Sequence, residues 1–183
     1  MVKCMRCKMQ IKDLKPSEII TTRDFPVHNT HILKIYFKIA KKDKELLPPT
    51  PVVPVSVGLP LLKGKSAKEK EYNKKIKDYL TENKKVKYFM CDGSHKTTSL
   101  TLTHNKIHAV ILQTDGDVKE VHDLSETGEI FSFASGETMK KILWEIADHL
   151  KDAEFFETVE DKTARMVKEK VIPEFMIRHY KKT

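Results

Sequence analysis

The apolar positions along the chain fall into short blocks separated by turn-forming residues. Met9, Ile11 and Leu14 precede Pro16-Ser17-Glu18, which predicts a short strand running into a turn over residues 9–20. His31–Lys42 fits two periods. Leu33, Ile35, Phe37 and Ile39 alternate with polar positions as in a strand, while residues 32, 33, 36, 37 and 40 form a helical face. Between Leu46 and Leu62, Pro48, Pro49, Pro51 and Pro54 exclude a helix and a central ladder position. An edge strand or a short parallel strand around Val52-Val53 and Val55–Val57 is expected instead. Ser66-x-x-Glu69 has the form of a capping box and opens a predicted helix with a narrow stripe of Tyr72, Ile76, Tyr79 and Leu80. Ile107–Gln113 reads as a buried strand and Asp115-Gly116-Asp117 as a turn. Val118–Phe133 carries short apolar pieces interrupted by Gly128. The clearest helical period is Ser135–Leu150, with Ser135 as cap and Met139, Ile142, Leu143, Ile146 and Leu150 on one face. Trp144 lies off that face and is expected to cover a neighbouring element. Thr158–Val171 is a further helix, capped by Thr158-x-x-Asp161 and ended near Pro173, after which Phe175-Met176-Ile177 docks back.

One stretch, Val86–Leu102, organises the rest. An apolar run ends at Asp92-Gly93, and Ser94-His95-Lys96-Thr97-Thr98 follows before apolar residues resume at Leu100. Asp-Gly between apolar runs is a hairpin signal, and Ser99–Thr103 alternates like a strand. The same residues also read as strand, tight turn and helix. In that reading the N–H groups of residues 94–97 stand at a helix N-terminus, where they and the helix dipole attract anions. Gly93 permits close approach, and His95 and Lys96 add donors and charge.

DGSHKTTSL followed by NKIHAVIL resembles the signature of the ParB/sulfiredoxin superfamily, in which a strand ends in Asp-Gly-x-His-Arg and leads into a helix and a second strand. The resemblance favours the strand–turn–helix reading and places Asn105 where the helix closes. It covers roughly residues 9–113 in order of elements and is sharp only at Asp92–Leu100. It also implies a helix over 31–42, and a counterpart for the valine strand. In free serine kinases of this superfamily a loop glutamate acts as catalytic base, and Glu18 in KPSEII occupies a similar place. The residue-level alternative is that Ser17 or Glu18 simply caps a turn. Sulfiredoxins carry a cysteine just before the His-Arg pair. Ser94 stands at that position, which argues against their chemistry. Lys96 replaces the usual arginine and lacks its bidentate fork. Partition proteins of the superfamily add a helix-turn-helix after this domain; residues 124–183 show no pattern of that kind.

The resemblance implies an α+β fold, a small ParB/sulfiredoxin-like sheet with packed helices. Residues 1–123 would form that domain, with a lysine-rich helical insertion at about 60–85, and residues 124–183 a C-terminal helical extension packed on it. At 183 residues the chain is long enough for one sizeable core. Its formal charge of +8 favours anionic partners. No run reaches transmembrane length, and MVKCMRCKMQIKDL is too polar for a signal peptide, so a cytoplasmic protein without a membrane partner is expected. Three cysteines make no disulfide framework, and Cys4-x-x-Cys7 is half a zinc knuckle or a redox pair that no second CxxC or paired histidines complete, leaving only Cys91 and a distant His as further ligands. Reduced thiols and no metal site are expected.

The expected function is nucleotide binding through phosphates at Gly93, Ser94, His95, Lys96, Thr97 and Thr98. The expected chemistry is NTP-dependent phosphoryl transfer to a small hydroxyl substrate, or NTP hydrolysis, with ATP or ADP (or CTP) and Mg²⁺ as ligands. His95 would donate to a phosphate oxygen, or else hold the turn by a structural hydrogen bond. Asp92 would fix the turn or hold Mg²⁺, and Glu18 would accept the hydroxyl proton. The alternative is a DNA- or RNA-binding protein, partition-related or nuclease. It would use the same turn and the helix carrying Lys68, Lys74, Lys75, Lys77, Lys84 and Lys85, with Tyr72 or Tyr79 stacking on bases. As a bland reading, that helix is a solvated charged face.

Overall fold

The computed structural model describes residues 9–24, 26–27, 29–128 and 136–182. Cys4, Cys7 and Ser135 lie outside them. The fold is α+β, with a five-stranded mixed sheet between layers of helix. β1 (Gln10–Leu14) is followed by a 3₁₀ turn (Pro16–Glu18) and β2 (Ile19–Ile20), as the 9–20 pattern predicted. β3 spans Thr50–Pro54, β4 Tyr88–Met90 and β5 Ile107–Ile111. The strand order is β1-β5-β3-β4-β2. β1 runs antiparallel to β5, β3 parallel to β5 and antiparallel to β4, and β2 parallel to β4.

β3 is therefore the central strand rather than an edge strand, and it is the short parallel strand that was the other expectation, running parallel to β5. Pro51 loses one donor, but its carbonyl still accepts the Cys91 N–H at 3.0 Å. Pro54 ends the strand, beyond the Thr50–Val52 segment paired with β5. Two well-placed prolines cost the ladder little.

The alternation of each strand sends neighbouring residues to opposite faces. Val53, Phe89 and Val110 pack under α2 (Ala67–Glu82), α4 (Asp115–Glu126) and α5 (Met139–Leu150). Val52, Met90 and Ile111 pack under α1 (Thr30–Lys42), α3 (Ser94–Leu102) and α6 (Val159–Lys168). A third cluster joins Leu33 and Phe37 of α1, Leu102 of α3 and Met166 of α6 to Met176 and Ile177 of α7 (Glu174–Lys181).

Residues 31–42 form a helix because Leu33, Phe37 and Ala40 share one buried face, whereas Ile35, which strand alternation would bury with them, is 57% exposed. Asn29 caps it, its side chain accepting from the N–H groups of His31 and Ile32. Ser66 caps α2 by accepting from Glu69 N–H. Asp115-Gly116-Asp117 is not a turn but the first turn of α4. Thr114 and Asp117 make a reciprocal capping box there, and acidic residues in that turn suit the helix dipole. α5 begins at Met139 under a Thr138 cap, four residues later than expected. The Thr158–Asp161 capping box opens α6 as predicted. Trp144 is 41% exposed, with the Lys141 ammonium over its ring. α4 runs across residue 123; α5 and α6 share core with the sheet, and α7 packs on α1, α3 and α6. Among the described residues no helix is long and apolar enough to cross a membrane.

Candidate functional site

β4 ends at Met90, the chain turns at Gly93, and α3 starts at Ser94, so Val86–Leu102 is strand, turn and helix rather than a hairpin. Gly93 has φ 105°, a conformation glycine takes without strain. A Cβ there would meet Lys96 Cε at 3.4 Å and Thr50 Cγ2 at 3.5 Å, ordinary contact distances, so it is the positive φ that selects glycine. α3 is a threonine-rich helix with Lys96–Leu102 all buried. Its hydroxyls turn inward on the backbone: Thr97 Oγ1 donates to Gly93 O, Thr101 Oγ1 to Thr97 O and Ser99 Oγ to Leu33 O. Internal satisfaction is what lets β-branched polar residues form a buried helix. The left-handed residue after α3 is His104 (φ 57°), not Asn105. Asn105 closes the helix by donating its N–H to Leu100 O at 2.9 Å, and its side chain donates to Ala40 O.

The ladder of α3 begins with Thr97 N–H donating to Gly93 O at 2.9 Å. Thr97 N–H is therefore taken, and the first-turn donors are those of residues 94–96. They open on a cavity of about 400 Å³ lined by the 91–96 turn, by Thr22, Arg23, Pro26 and Val27 after β2, by Ile32 and Tyr36 of α1, and by His149 and Lys162. Five of its side chains are basic (Arg23, His95, Lys96, His149, Lys162) and one is acidic, Asp92. Thr98 is buried within α3 and, like Thr97, does not line it.

Two lysines reach this cavity from inside the protein. Lys96 is 6% exposed and its Nζ donates to Pro49 O at 2.9 Å. Lys162 is 3% exposed and its Nζ donates to Arg23 O at 2.7 Å and Thr21 Oγ1 at 3.5 Å. Burial pushes both ammonium groups down to about 8, against the pull of Asp92 on Lys96 and of Glu157 on Lys162. Each holds a proton that an anion in the cavity would stabilise.

His95 Nε2 accepts the Asn29 N–H at 3.2 Å, so that nitrogen is unprotonated and ties the turn to the start of α1. Ser94 Oγ lies 3.3 Å from Thr22 Oγ1, joining the turn to the loop after β2. Cys91 is buried, and burial, then the negative charges of Asp92 and Glu145, raise its thiol pKa, so it is no thiolate nucleophile.

Glu18 does not join this site. Its carboxylate accepts from Lys15 N–H and Lys87 Nζ, both at 2.9 Å, and it sits beside Lys87 at the far end of β4. The three residues of β4 and the first of the turn lie between Lys87 and Asp92. Lys87 and Lys15 hold Glu18 below its usual carboxylate range despite the burial that opposes them.

The α2 lysines are also remote. Lys68, Lys74, Lys75, Lys77, Lys84 and Lys85 are exposed. Lys68 pairs with Asp152, Lys75 with Glu71 and, at 4.0 Å, Lys85 with Asp161. Tyr72 cannot stack on a base. It is 3% exposed, donates its hydroxyl to Pro60 O at 2.8 Å and, like Tyr79, packs edge-on against Phe156.

Sequence reasoning missed Lys162, although a signal was present: Val159, Lys162, Thr163, Met166 and Val167 share one buried helical face. Arg23, Tyr36 and His149 reach the cavity through tertiary packing alone. The loop carrying Arg23 is held by the chain after α5. Thr21 N–H donates to Glu157 O, Glu154 N–H to Asp24 Oδ2, and Arg165 to both Glu157 oxygens and to Asp24 O.

Among the described residues no group of three or more His, Cys, Asp or Glu side chains could hold a metal ion. Comparison with protein-family models, curated proteins and solved structures gives no match.

Proposed function

We propose that this cavity binds a nucleotide through its phosphates and that the protein is a cytosolic phosphotransfer enzyme or NTPase of the ParB/sulfiredoxin kind. The observation that carries the reading is the opening of a helix N-terminus onto a 400 Å³ cavity with five basic side chains and one carboxylate. Its volume lies in the roughly 300–1,000 Å³ range of small-ligand sites. Pro26, Val27, Ile32 and Tyr36 supply an apolar wall for a base or sugar, and Lys96 and Lys162 supply charge beside the phosphates. Phosphoryl transfer asks mainly for positioning and charge neutralisation. Mg²⁺ commonly arrives with the phosphates and needs only one or two protein carboxylates, which Asp92 satisfies. With Glu18 outside the cavity, Asp92 is the carboxylate within it, to hold Mg²⁺ or, in its place, to receive an acceptor's proton.

The test is calorimetric titration with ATP, ADP and CTP, each with and without Mg²⁺, on the wild type, Gly93→Ala, His95→Ala and Glu18→Gln. Micromolar binding that Gly93→Ala and His95→Ala weaken at least tenfold, and Glu18→Gln leaves unchanged, is the expected pattern. Absence of heat from all three nucleotides on folded protein overturns the reading. Dependence on Glu18 would instead return that residue to the site.

A further inference from the structure

A second basic feature lies away from the cavity, where α7 crosses α1. Two adjoining hollows of about 250 and 390 Å³ share Phe37, Lys41 and Phe175. Lys38, Lys42, Arg178, His179 and Lys182 complete their walls, and no acidic residue lines either. Phe175 is 41% exposed and stands edge-on to Phe37, with ring centroids 5.6 Å apart at 79°. His179 packs on the same phenyl ring at 5.4 Å and 88°. Lys38, Lys41 and Lys42 follow one helical face, and Arg178 and Lys182 stand one turn apart on the other helix. Among the described residues none of these five cations is in an ion pair, unlike Lys68 and Lys75 of α2 and Lys85 after it. The positive field is felt locally: His179 is held below its ordinary value by burial and then by Lys41, His104 and Lys182.

We infer that this cleft between α1 and α7 binds single-stranded nucleic acid, one base resting on the exposed Phe175 ring while Lys38, Lys41, Lys42, Arg178 and Lys182 contact successive phosphates. An aromatic face flanked by rows of unpaired cations is the chemistry of a non-specific single-strand site. A membrane surface is the other anionic partner to weigh. A helix lying on a bilayer needs an exposed apolar face, but Met176 and Ile177 of α7 are buried in the core, leaving Phe175 as its one well-exposed large apolar ring. The inference is independent of the nucleotide cavity, since the two features share no lining residue.

The test is fluorescence anisotropy of labelled 12-nucleotide dT and rU strands with the full chain, at 50 and 200 mM salt. With five phosphates neutralised on a single strand, affinity should fall on the order of 100-fold between these concentrations. Phe175→Ala should weaken binding roughly five- to a hundred-fold, as loss of one stacked base does. Lys41→Glu combined with Arg178→Glu should abolish it, while Lys74→Glu with Lys77→Glu on α2 should change it less than twofold. These are exposed positions, and circular dichroism with thermal unfolding checks that each variant is folded. No binding, binding insensitive to Phe175 and Lys41, or capture instead by phosphatidylserine vesicles that Phe175→Ala releases would each overturn the inference. Because Phe175 does not touch the cavity, nucleotide titration of the same variants keeps a failure here distinct from a failure there.

Discussion

Replacing Lys162 by methionine should change the pH dependence of stability more than stability itself. The Lys162 side chain is 3% exposed, and burial moves its ammonium from 10.5 to about 8. That displacement corresponds to a cost of about 3 kcal/mol for holding the charge inside the protein. The sign follows from proton counting. Below about pH 8 both states carry the proton and the folded state bears the full cost. Between about 8 and 10.5 the unfolded chain holds one more proton than the folded one, so stability rises with pH until the cost has vanished. Lys162→Met removes this titration. It also deprives Arg23 O of its 2.7 Å donor, a pH-independent loss of about 1–3 kcal/mol. At pH 7.5 the two effects nearly cancel and the variant should lie within about 2 kcal/mol of wild type. At pH 10.5 only the lost hydrogen bond remains, so the wild type should have gained about 3 kcal/mol on the variant. Lys96 titrates in both proteins and drops out of the difference. Urea unfolding of both proteins across this pH range measures the gap directly. A gap constant to within about 1 kcal/mol would refute the placement of Lys162 as a buried ammonium. Saturating nucleotide should flatten the wild-type slope, because phosphate beside Lys162 favours the charged form.

Two further substitutions probe the surroundings of the cavity. Thr50 Oγ1 is buried without a hydrogen-bond partner among the described residues, beside the Gly93 turn. Thr50→Val should therefore be neutral or stabilising by about 1 kcal/mol in denaturant titration, and a loss above 1 kcal/mol would reveal a partner for the hydroxyl. Arg165→Ala strips the buried Glu157 carboxylate of its bidentate partner and frees Asp24 O. Unfolding should become easier by roughly 3–5 kcal/mol, with weaker nucleotide binding as the loop at Arg23 loosens; a cost under 1 kcal/mol would show that the clamp holds nothing.

Much of the architecture was written locally. The strand–turn at 9–20, the caps at Ser66 and Thr158, the buried strand at 107–111 and the apolar face of α5 follow from spacing alone. Where local signals competed, packing decided. Thr114 with Asp117 turned an apparent Asp-Gly-Asp turn into a helix start, because a capping box satisfies the first-turn donors that a free turn leaves to water. The threonines of α3 favour strand by propensity. They form helix because their hydroxyls bond back to the preceding turn, where α1, α6 and α7 bury them.

From the sequence, Asp92-Gly93 before Ser94-His95-Lys96 left a hairpin and a strand–turn–helix both open, and the resemblance favoured the second; the structure has it, with a glycine at positive φ and a helix beginning after it. What gathers around that turn was decided by the tertiary structure alone. Glu18 and Asp92, both candidates for one reaction, are kept apart because β2 and β4 run parallel, with Glu18 just before β2 and Asp92 just after β4. Lys162, some 65 residues beyond the turn, is brought beside it because α6 buries the one face of its helix that carries a lysine among apolar residues. Spacing along a chain fixes neighbours within a turn or a strand. Which distant charges share a cavity depends on how the elements pack, and that is set by burial of their apolar faces rather than by the charges themselves.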